Sequence, residues 1–136
     1  MPLDLTLREH CAGAAMVRIG PFGELEAGVA ATTILRHGGA TFDAAGDPTM
    51  PFDGVIVAME GNSEASSNFT VDCTVNGTPD TTTTMTMNSA KEYVNFTKAN
   101  YVSFSAGDTV GMECTADTTS KDFSGALYVV FDVSGN

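Results

Sequence analysis

Short runs of β-branched and apolar residues, each ended by turn-forming residues, fill the chain from Val29 onward. Val, Ile and Thr favour an extended backbone, whereas Gly, Pro, Asn and Asp end strands. No amphipathic helical pattern occurs after residue 30, so the helices that an α/β fold needs between its strands are missing. The pattern therefore predicts an all-β protein, an antiparallel β-sandwich or barrel. The predicted strand-forming stretches are 31–37, 54–60, 69–87, 92–97, 101–104, 109–115 and 125–133.

The stretch 69–87, FTVDCTVNGTPDTTTTMTM, is the clearest hairpin. Apolar residues alternate with polar ones from Phe69 to Val75, which predicts that Cys73 points inward and Asp72 lies on the opposite face. Asn76-Gly77 supplies the positive φ angles that tight hairpins prefer. The Thr-Pro that follows predicts a loop longer than two residues.

Three other patterns predict which strands or strand faces are buried and which are exposed. The uncharged run Thr81–Thr84 is typical of an edge or subunit-facing strand. The nearly continuous apolar run GVIVAME at 54–60 predicts an interior strand buried on both faces. Apolar and polar residues alternate from Val110 to Cys114, which predicts a strand with one buried face and one solvent-exposed face.

Residues 1–27 differ in character from the rest. Three leucines alternate with polar residues at the start, and the stretches CAGAAM and GPFG then break the pattern. The chain of 136 residues fits one domain. We therefore predict an extended N-terminal arm, 1–27, followed by a single β-sandwich domain, 28–136.

The charge balance limits the partners. The chain has 17 acidic residues against 6 Lys and Arg, a net charge of −11. Nucleic acids and anionic membranes both attract cationic side chains, so neither is expected as a partner. No apolar run is long enough for a membrane-spanning helix, and the N-terminus lacks the basic start of a signal peptide. We expect the chain to be made and kept in the cytosol.

Cysteines and histidines provide the only nucleophilic candidates. A Cys–His pair is conceivable between Cys73 or Cys114 and one of the two histidines, His10 and His37. The preferred interpretation is that both thiols are small core residues. The odd number of cysteines, three, favours reduced thiols over a disulfide framework.

Other chemistries find little support. Carboxylates are scattered over turns and outward positions, and no metal-binding or nucleotide-binding motif is present. The stretch Asp117–Asp122 could hold calcium weakly, although a polar turn is the better interpretation. We therefore predict no catalytic residues, no metal site and no cofactor, and the chain is not expected to be an enzyme.

The order of several segments resembles a known family. These segments are a strand ending in Gly-Gly, then PFDGVIVAMEGNSE, FTVDCTVNGT, YVSFSAGDTVGMECTAD and GALYVVFDV. Together they resemble the C1q/TNF-like jelly-roll domains of tailed-bacteriophage structural proteins, found in head decoration proteins, head fibres and fibre tips. The resemblance covers roughly residues 28–134.

The resemblance implies a non-enzymatic virion component, usually a homotrimer. It implies a capsid decoration or cement protein, made in the host cytoplasm, that binds the major capsid protein on the outer shell. The arm would supply the contacts, and an apolar face near the C-terminus would be buried between subunits. The implied capsid or subunit contacts are Leu3, Leu5, Leu7, Arg8, Met16, Arg18 and Phe22. The implied trimer contacts are Tyr128 and Val130.

Two alternatives remain open. One is a fibre-tip or receptor-binding module that recognises a host glycan or surface protein, with Asn62, Asn68 and Asn100 as candidate contacts. The other is an enzyme on a β-sandwich, which lacks any convergent set of catalytic residues.

Overall fold

The computed structural model describes residues 16–24, 33–34, 36–37, 46–63, 69–116 and 123–133. These residues include ten strands and a short 3-10 turn, Lys98–Asn100. The strands are β1 (Met16–Glu24), β2 (Thr33–Ile34), β3 (Arg36–His37), β4 (Gly54–Ser63), β5 (Phe69–Val75), β6 (Thr78–Met87), β7 (Lys91–Asn95), β8 (Val102–Phe104), β9 (Val110–Ala116) and β10 (Phe123–Phe131).

The strands form two sheets in which every pairing is antiparallel. Sheet A has the order β3-β1-β10-β4-β7, and β8 also pairs with β4. Sheet B has the order β2-β9-β5-β6. The pairs are nested, because β1 pairs with β10, β2 with β9, β4 with β7 and β5 with β6, in alternating sheets. Such wrapping of strand pairs over two sheets is a jelly roll, so the predicted all-β antiparallel sandwich is confirmed.

The core lies between the two sheets. Its largest fully buried side chains are Phe22, Phe69 and Phe123, and Phe69 on sheet B meets Phe123 on sheet A edge to face, with ring centroids 5.6 Å apart. Cys73 and Cys114 are fully buried in the same cluster, which confirms their interpretation as core residues. Burying one large apolar side chain contributes about 1.5–3 kcal/mol, so this layer is the main source of stability.

The hairpin between β5 and β6 is tighter than predicted. Asn76 and Gly77 have φ of 51° and 76°, and Val75 pairs directly with Thr78, so the loop has two residues. The prediction of a longer loop is wrong because Pro79 lies inside β6. Proline is tolerated there because β6 is an edge strand of sheet B, where a missing N–H need not break a ladder bond.

The outer side of sheet B is less exposed to solvent than predicted. Val110, Met112 and Cys114 are buried as expected, but Glu113 on the opposite face is only 8% exposed. The Asp47 carboxylate covers this face and fills the space that a Cβ atom at position 111 would take. A segment distant in sequence thus shields β9, and strand alternation carries no information about that.

Strand β1 lies within the region that was predicted to be an N-terminal arm. It lies between β3 and β10, in register from Met16 opposite Val130 to Glu24 opposite Phe123. A register shift between Ile19 and Phe22 absorbs the Gly-Pro sequence that suggested a break. Residues 16–24 of the predicted arm are therefore a strand of the sandwich, while residues 1–15 lie outside the described part of the chain.

Candidate functional site

The outward side of sheet A carries the most distinctive surface of the described chain. Neighbouring strands place their outward side chains in three central rungs, which we call the outer A face. The first rung contains Met16, Val130, Val55 and Ser103; the second contains Arg18, Tyr128, Ala58 and Asn95; the third contains Ala126, Glu60 and Tyr93.

A hollow of about 530 Å³ lies in this face. Its floor includes Val57 and Ala58, two consecutive residues. The register of β4 against β10 shifts between Tyr128 and Val129, which leaves Val57 as an extra residue beside Ala58. Tyr93 and Tyr101 stand at the border of the hollow. The bulge thus creates a shallow apolar recess in an otherwise regular sheet.

Large apolar side chains on this face are open to solvent. Tyr93 is 75% exposed, Met16 50% and Tyr101 40%. Tyr128 is half-buried because its ring lies between β1 and β4. Exposed aromatic residues gathered on one surface are typical of binding sites rather than of inert protein surface.

A polar cluster of three residues lies in the middle of the face. Arg18 donates to Glu60 Oε1 from Nε at 2.8 Å and from Nη2 at 2.6 Å, and Tyr128 donates from its hydroxyl to Oε2 at 2.9 Å. The hydrogen bonds from Arg18 lower the pKa of Glu60, and the carboxylate in turn raises the pKa of Arg18. Glu60 is therefore an ionised carboxylate with a donor on each oxygen.

The structure brings together four residues from the two predicted contact sets. Met16 and Arg18, expected in the arm, share the outer A face with Tyr128 and Val130, expected at the trimer interface. A contact role for these residues stays a prediction.

Phe22 is a different case, because it is fully buried among core residues and offers no surface to a capsid or subunit. Its assignment as a contact is wrong. Simple alternation from Met16 would place Phe22 on the outward side of the sheet. Phe22 instead points into the core because the register of β1 shifts between Ile19 and Phe22. The other predicted arm contacts, Leu3, Leu5, Leu7 and Arg8, lie outside the described residues.

Several residues of the site were missed from the sequence, including Glu60, which accepts hydrogen bonds from Arg18 and Tyr128. Tyr93 and Tyr101 border the hollow, but no prediction included them. In KEYVN, the alternation of Tyr93 with Val94 gave a usable signal, because Val94 packs on the core. Tyr101 follows a 3-10 turn, so strand alternation could not predict the direction of its side chain.

The glycan candidates do not converge. Asn62 pairs with Lys91 near one end of β4, whereas Asn100 precedes β8, which pairs with the other end. Asn68 lies outside the described residues.

The Cys73 thiol is unsuited to nucleophilic chemistry. Burial, with help from the nearby carboxylates of Asp80 and Asp72, raises the pKa of Cys73 to about 12. A thiol with such a pKa is not a thiolate at neutral pH. The side chains of His10 and His37 lie outside the described part, so no Cys–His geometry is tested.

In the described ranges, no group of three or more His, Cys, Asp and Glu side chains is placed to bind a metal ion. The stretch Asp117–Asp122 is not among the described residues. Among the described residues, no helix has the length and hydropathy that crossing a membrane requires.

A second polar feature lies on the outer side of sheet B. Asp72 on β5 and Glu113 on β9 are direct cross-strand partners, and both are buried. Thr84 donates to Asp72 Oδ1 at 2.5 Å, from a part of β6 where pairing with β5 is interrupted. Burial and the neighbouring Asp72 carboxylate both raise the pKa of Glu113. Ionising Glu113 therefore costs more in the folded protein than in the unfolded chain.

Replacing Glu113 by glutamine is therefore expected to stabilise the protein at pH 7, with a gain of about 0.5–1 kcal/mol, or about 2–4 °C in Tm. A raised folded pKa favours folding below the unfolded value and loses this benefit as pH rises through the folded value. The gain from Glu113→Gln should accordingly shrink toward pH 4. Thermal unfolding from pH 4 to pH 8 measures it.

Glu92→Gln makes the same change in net charge at a half-exposed residue that accepts a hydrogen bond from Ser89. It is the matched control. An equal effect of both substitutions across the pH range would show that overall charge, and not the Asp72–Glu113 pair, is responsible.

Comparisons of the chain with protein-family models, with curated proteins and with solved structures give no match. What this protein does must therefore be inferred from its own residues.

Proposed function

We propose that the chain is a non-enzymatic structural protein of a tailed-bacteriophage virion. It is a capsid decoration protein that binds the outer surface of the major capsid protein shell, stabilises that shell and assembles as a homotrimer. The observation that carries the proposal is the outer A face, an apolar and aromatic surface whose single ion pair, Arg18–Glu60, is satisfied within the chain.

The chemistry of the described residues supports a structural role. The two buried thiols lie in the core, and the carboxylate pair Asp72–Glu113 is covered rather than open to a cleft. Catalysis needs a nucleophile, a base or a metal that a substrate can reach. A rigid sandwich with an exposed aromatic face instead fits a building block.

The charge supports an outer location. At a net charge of −11 per chain, three copies would strongly repel packaged DNA. An acidic exterior also keeps an abundant surface protein soluble. We expect the chain to be synthesised in the host cytoplasm and to end on the outside of the shell.

The N-terminal residues are the proposed capsid contact. Leu3, Leu5, Leu7 and Arg8 precede β1, which starts on the outer A face at Met16. Apolar residues alternating with polar ones suit an extended segment that adds to another protein's sheet. Met16 and Arg18 are assigned instead to contacts between subunits.

A second candidate function is a fibre-tip or receptor-binding module. The hollow favours it, because Tyr93 and Tyr101 could stack on sugar rings while Asn95 supplies hydrogen bonds. Such a module occurs at fibre ends and not over the whole shell.

Copy number in purified virions separates the two. A decoration protein is expected at a copy number of the same order as the major capsid protein, measured by quantitative mass spectrometry of gradient-purified particles. A few copies per particle would favour the fibre tip. Absence from particles would refute both.

A further inference from the structure

We infer that the free edge of β7 binds an extended segment of another protein, which adds to sheet A as a further strand. The segment that fits has β-branched residues in its middle and a carboxylate toward each end. β7 is the last strand of sheet A in the order of the described strands, and it pairs with β4 on one side. The inference goes beyond the proposed function and does not depend on it.

The backbone of β7 leaves hydrogen-bonding groups open along this edge. Phe96, just after β7, donates from its backbone N–H to the Val57 carbonyl at 2.9 Å. Because hydrogen-bonding positions alternate along an antiparallel strand, Val94 also faces β4, whereas Tyr93 and Asn95 direct their N–H and C=O groups away from it. These outward groups are the ones with which an added strand pairs.

The other edges of the described sheets are closed to such pairing. β2 and β3 are two residues long as described, and β6 contains Pro79, which has no N–H. The pairing of β6 with β5 is lost between Asp80 and Met85, and the Thr82 N–H donates to Asp80 Oδ1 at 2.8 Å instead. Short strands, prolines and irregular register keep edges from pairing. β7 has none of these features, since its five residues pair with β4 in unbroken register.

Two lysines favour a segment with carboxylates. Lys91 begins β7 and Lys98 lies in the 3-10 turn that follows it, and both are exposed. Lysine on an edge discourages pairing with an arbitrary strand but favours a strand that brings opposite charges to it. The net charge of −11 repels acidic partners at long range, but physiological salt screens charges over about 8 Å. The lysines next to the bound segment therefore decide its preferred charge.

Tyr93 determines which residues suit the middle of the segment. Its side chain is 75% exposed, and it lies on the outer A face, beside the place that an added strand would take. Aromatic side chains pair favourably with β-branched residues on a neighbouring strand. A valine or threonine in the middle of the segment would thus cover part of the Tyr93 ring.

The probe is a fluorescent peptide of about eight residues, with alternating valine and threonine between glutamates at both ends. Fluorescence anisotropy with the full chain at physiological salt measures its Kd. Hydrogen exchange locates it, and we expect slower exchange of the Tyr93 and Asn95 amides on binding. The same peptide N-methylated throughout its middle lacks the required donors and should bind at least tenfold more weakly. Lysines in place of the glutamates should have an effect of the same order.

Asn95→Pro and Asn95→Thr form a matched pair of variants. Because the Asn95 N–H does not face β4, proline removes a free donor without breaking the ladder, and edge strands tolerate proline. Asn95→Pro should weaken binding of the glutamate peptide about tenfold or more, whereas Asn95→Thr keeps the donor and should bind like the wild type.

The lysine variants test the charge preference and keep the experiment decisive if circular dichroism shows that Asn95→Pro does not fold. Combining Lys91→Gln with Lys98→Gln should abolish the preference for glutamates over glutamines in the peptide. Combining Lys91→Arg with Lys98→Arg should retain it.

No binding at about 1 mM peptide, or equal binding by Asn95→Pro and Asn95→Thr, would overturn the inference. Protection of the Tyr93 and Asn95 amides in the free protein would also overturn it. Protection at every concentration would mean that other residues of the same chain cover the edge, and protection only at high concentration would mean that a second copy does. These measurements need no virion, so absence of the protein from particles refutes only the proposed function.

Discussion

Replacing Phe22 by alanine is expected to lower the free energy of unfolding by about 3–5 kcal/mol. Phe22 is fully buried and belongs to the main core cluster, so the substitution leaves a cavity between the sheets. The neighbouring backbone cannot easily close it, because β1 is paired on both sides, with β3 and β10. Urea unfolding followed by circular dichroism measures the change.

Val17→Ala is the control for this substitution. Val17 lies on the same strand but is 39% exposed, so its truncation should cost less than about 1 kcal/mol. If Phe22→Ala were as mild as Val17→Ala, Phe22 would be a surface residue and its original assignment as a contact would be reinstated.

Deleting residues 1–27 is expected to abolish folding, whereas deleting residues 1–15 is expected to leave a stable sandwich. The longer deletion removes all of β1, including Phe22, and exposes the edge of β10, the strand at the centre of sheet A. A long unpaired edge beside an open core favours aggregation. The shorter deletion leaves every described pairing intact.

The two deletions are compared by soluble yield and by the cooperativity of thermal unfolding. A cooperative transition in the chain lacking residues 1–27 would contradict the placement of β1 in the sandwich. Loss of folding in the chain lacking only residues 1–15 would show that these residues belong to the sandwich and are not a separate contact segment.

The strands could be predicted where local chemistry determines them. Runs such as 54–60 and the Asn76-Gly77 turn are specified by residues next to each other in sequence, and both lie in strands or a turn as expected. Strand β1 was missed because Gly20-Pro21 interrupts its local pattern, whereas pairing with β3 and β10 places it in the sheet. The cover over the outer side of β9 was missed because it comes from Asp47, which packs against Gly111 and is far away in sequence.

The candidate site was harder to predict than the fold because it is built across strands. Arg18 and Glu60 are 42 positions apart, and Glu60 and Tyr128 are 68 apart. Their contact follows from the order β1-β10-β4, which periodicity does not encode. The resemblance implied that Tyr128 and Val130 lie on an apolar face near the C-terminus. It did not indicate that Tyr93 and a bulge at Val57 complete the same surface.

The central claim, that this protein decorates a capsid, is tested most directly by adding the purified full chain to phage shells that lack it. We expect saturable binding to the outer surface, seen by cryo-electron microscopy as density at symmetry-related sites, and a higher melting temperature of the decorated shell. Shells that remain bare and melt at an unchanged temperature in the presence of excess folded protein would contradict the proposal.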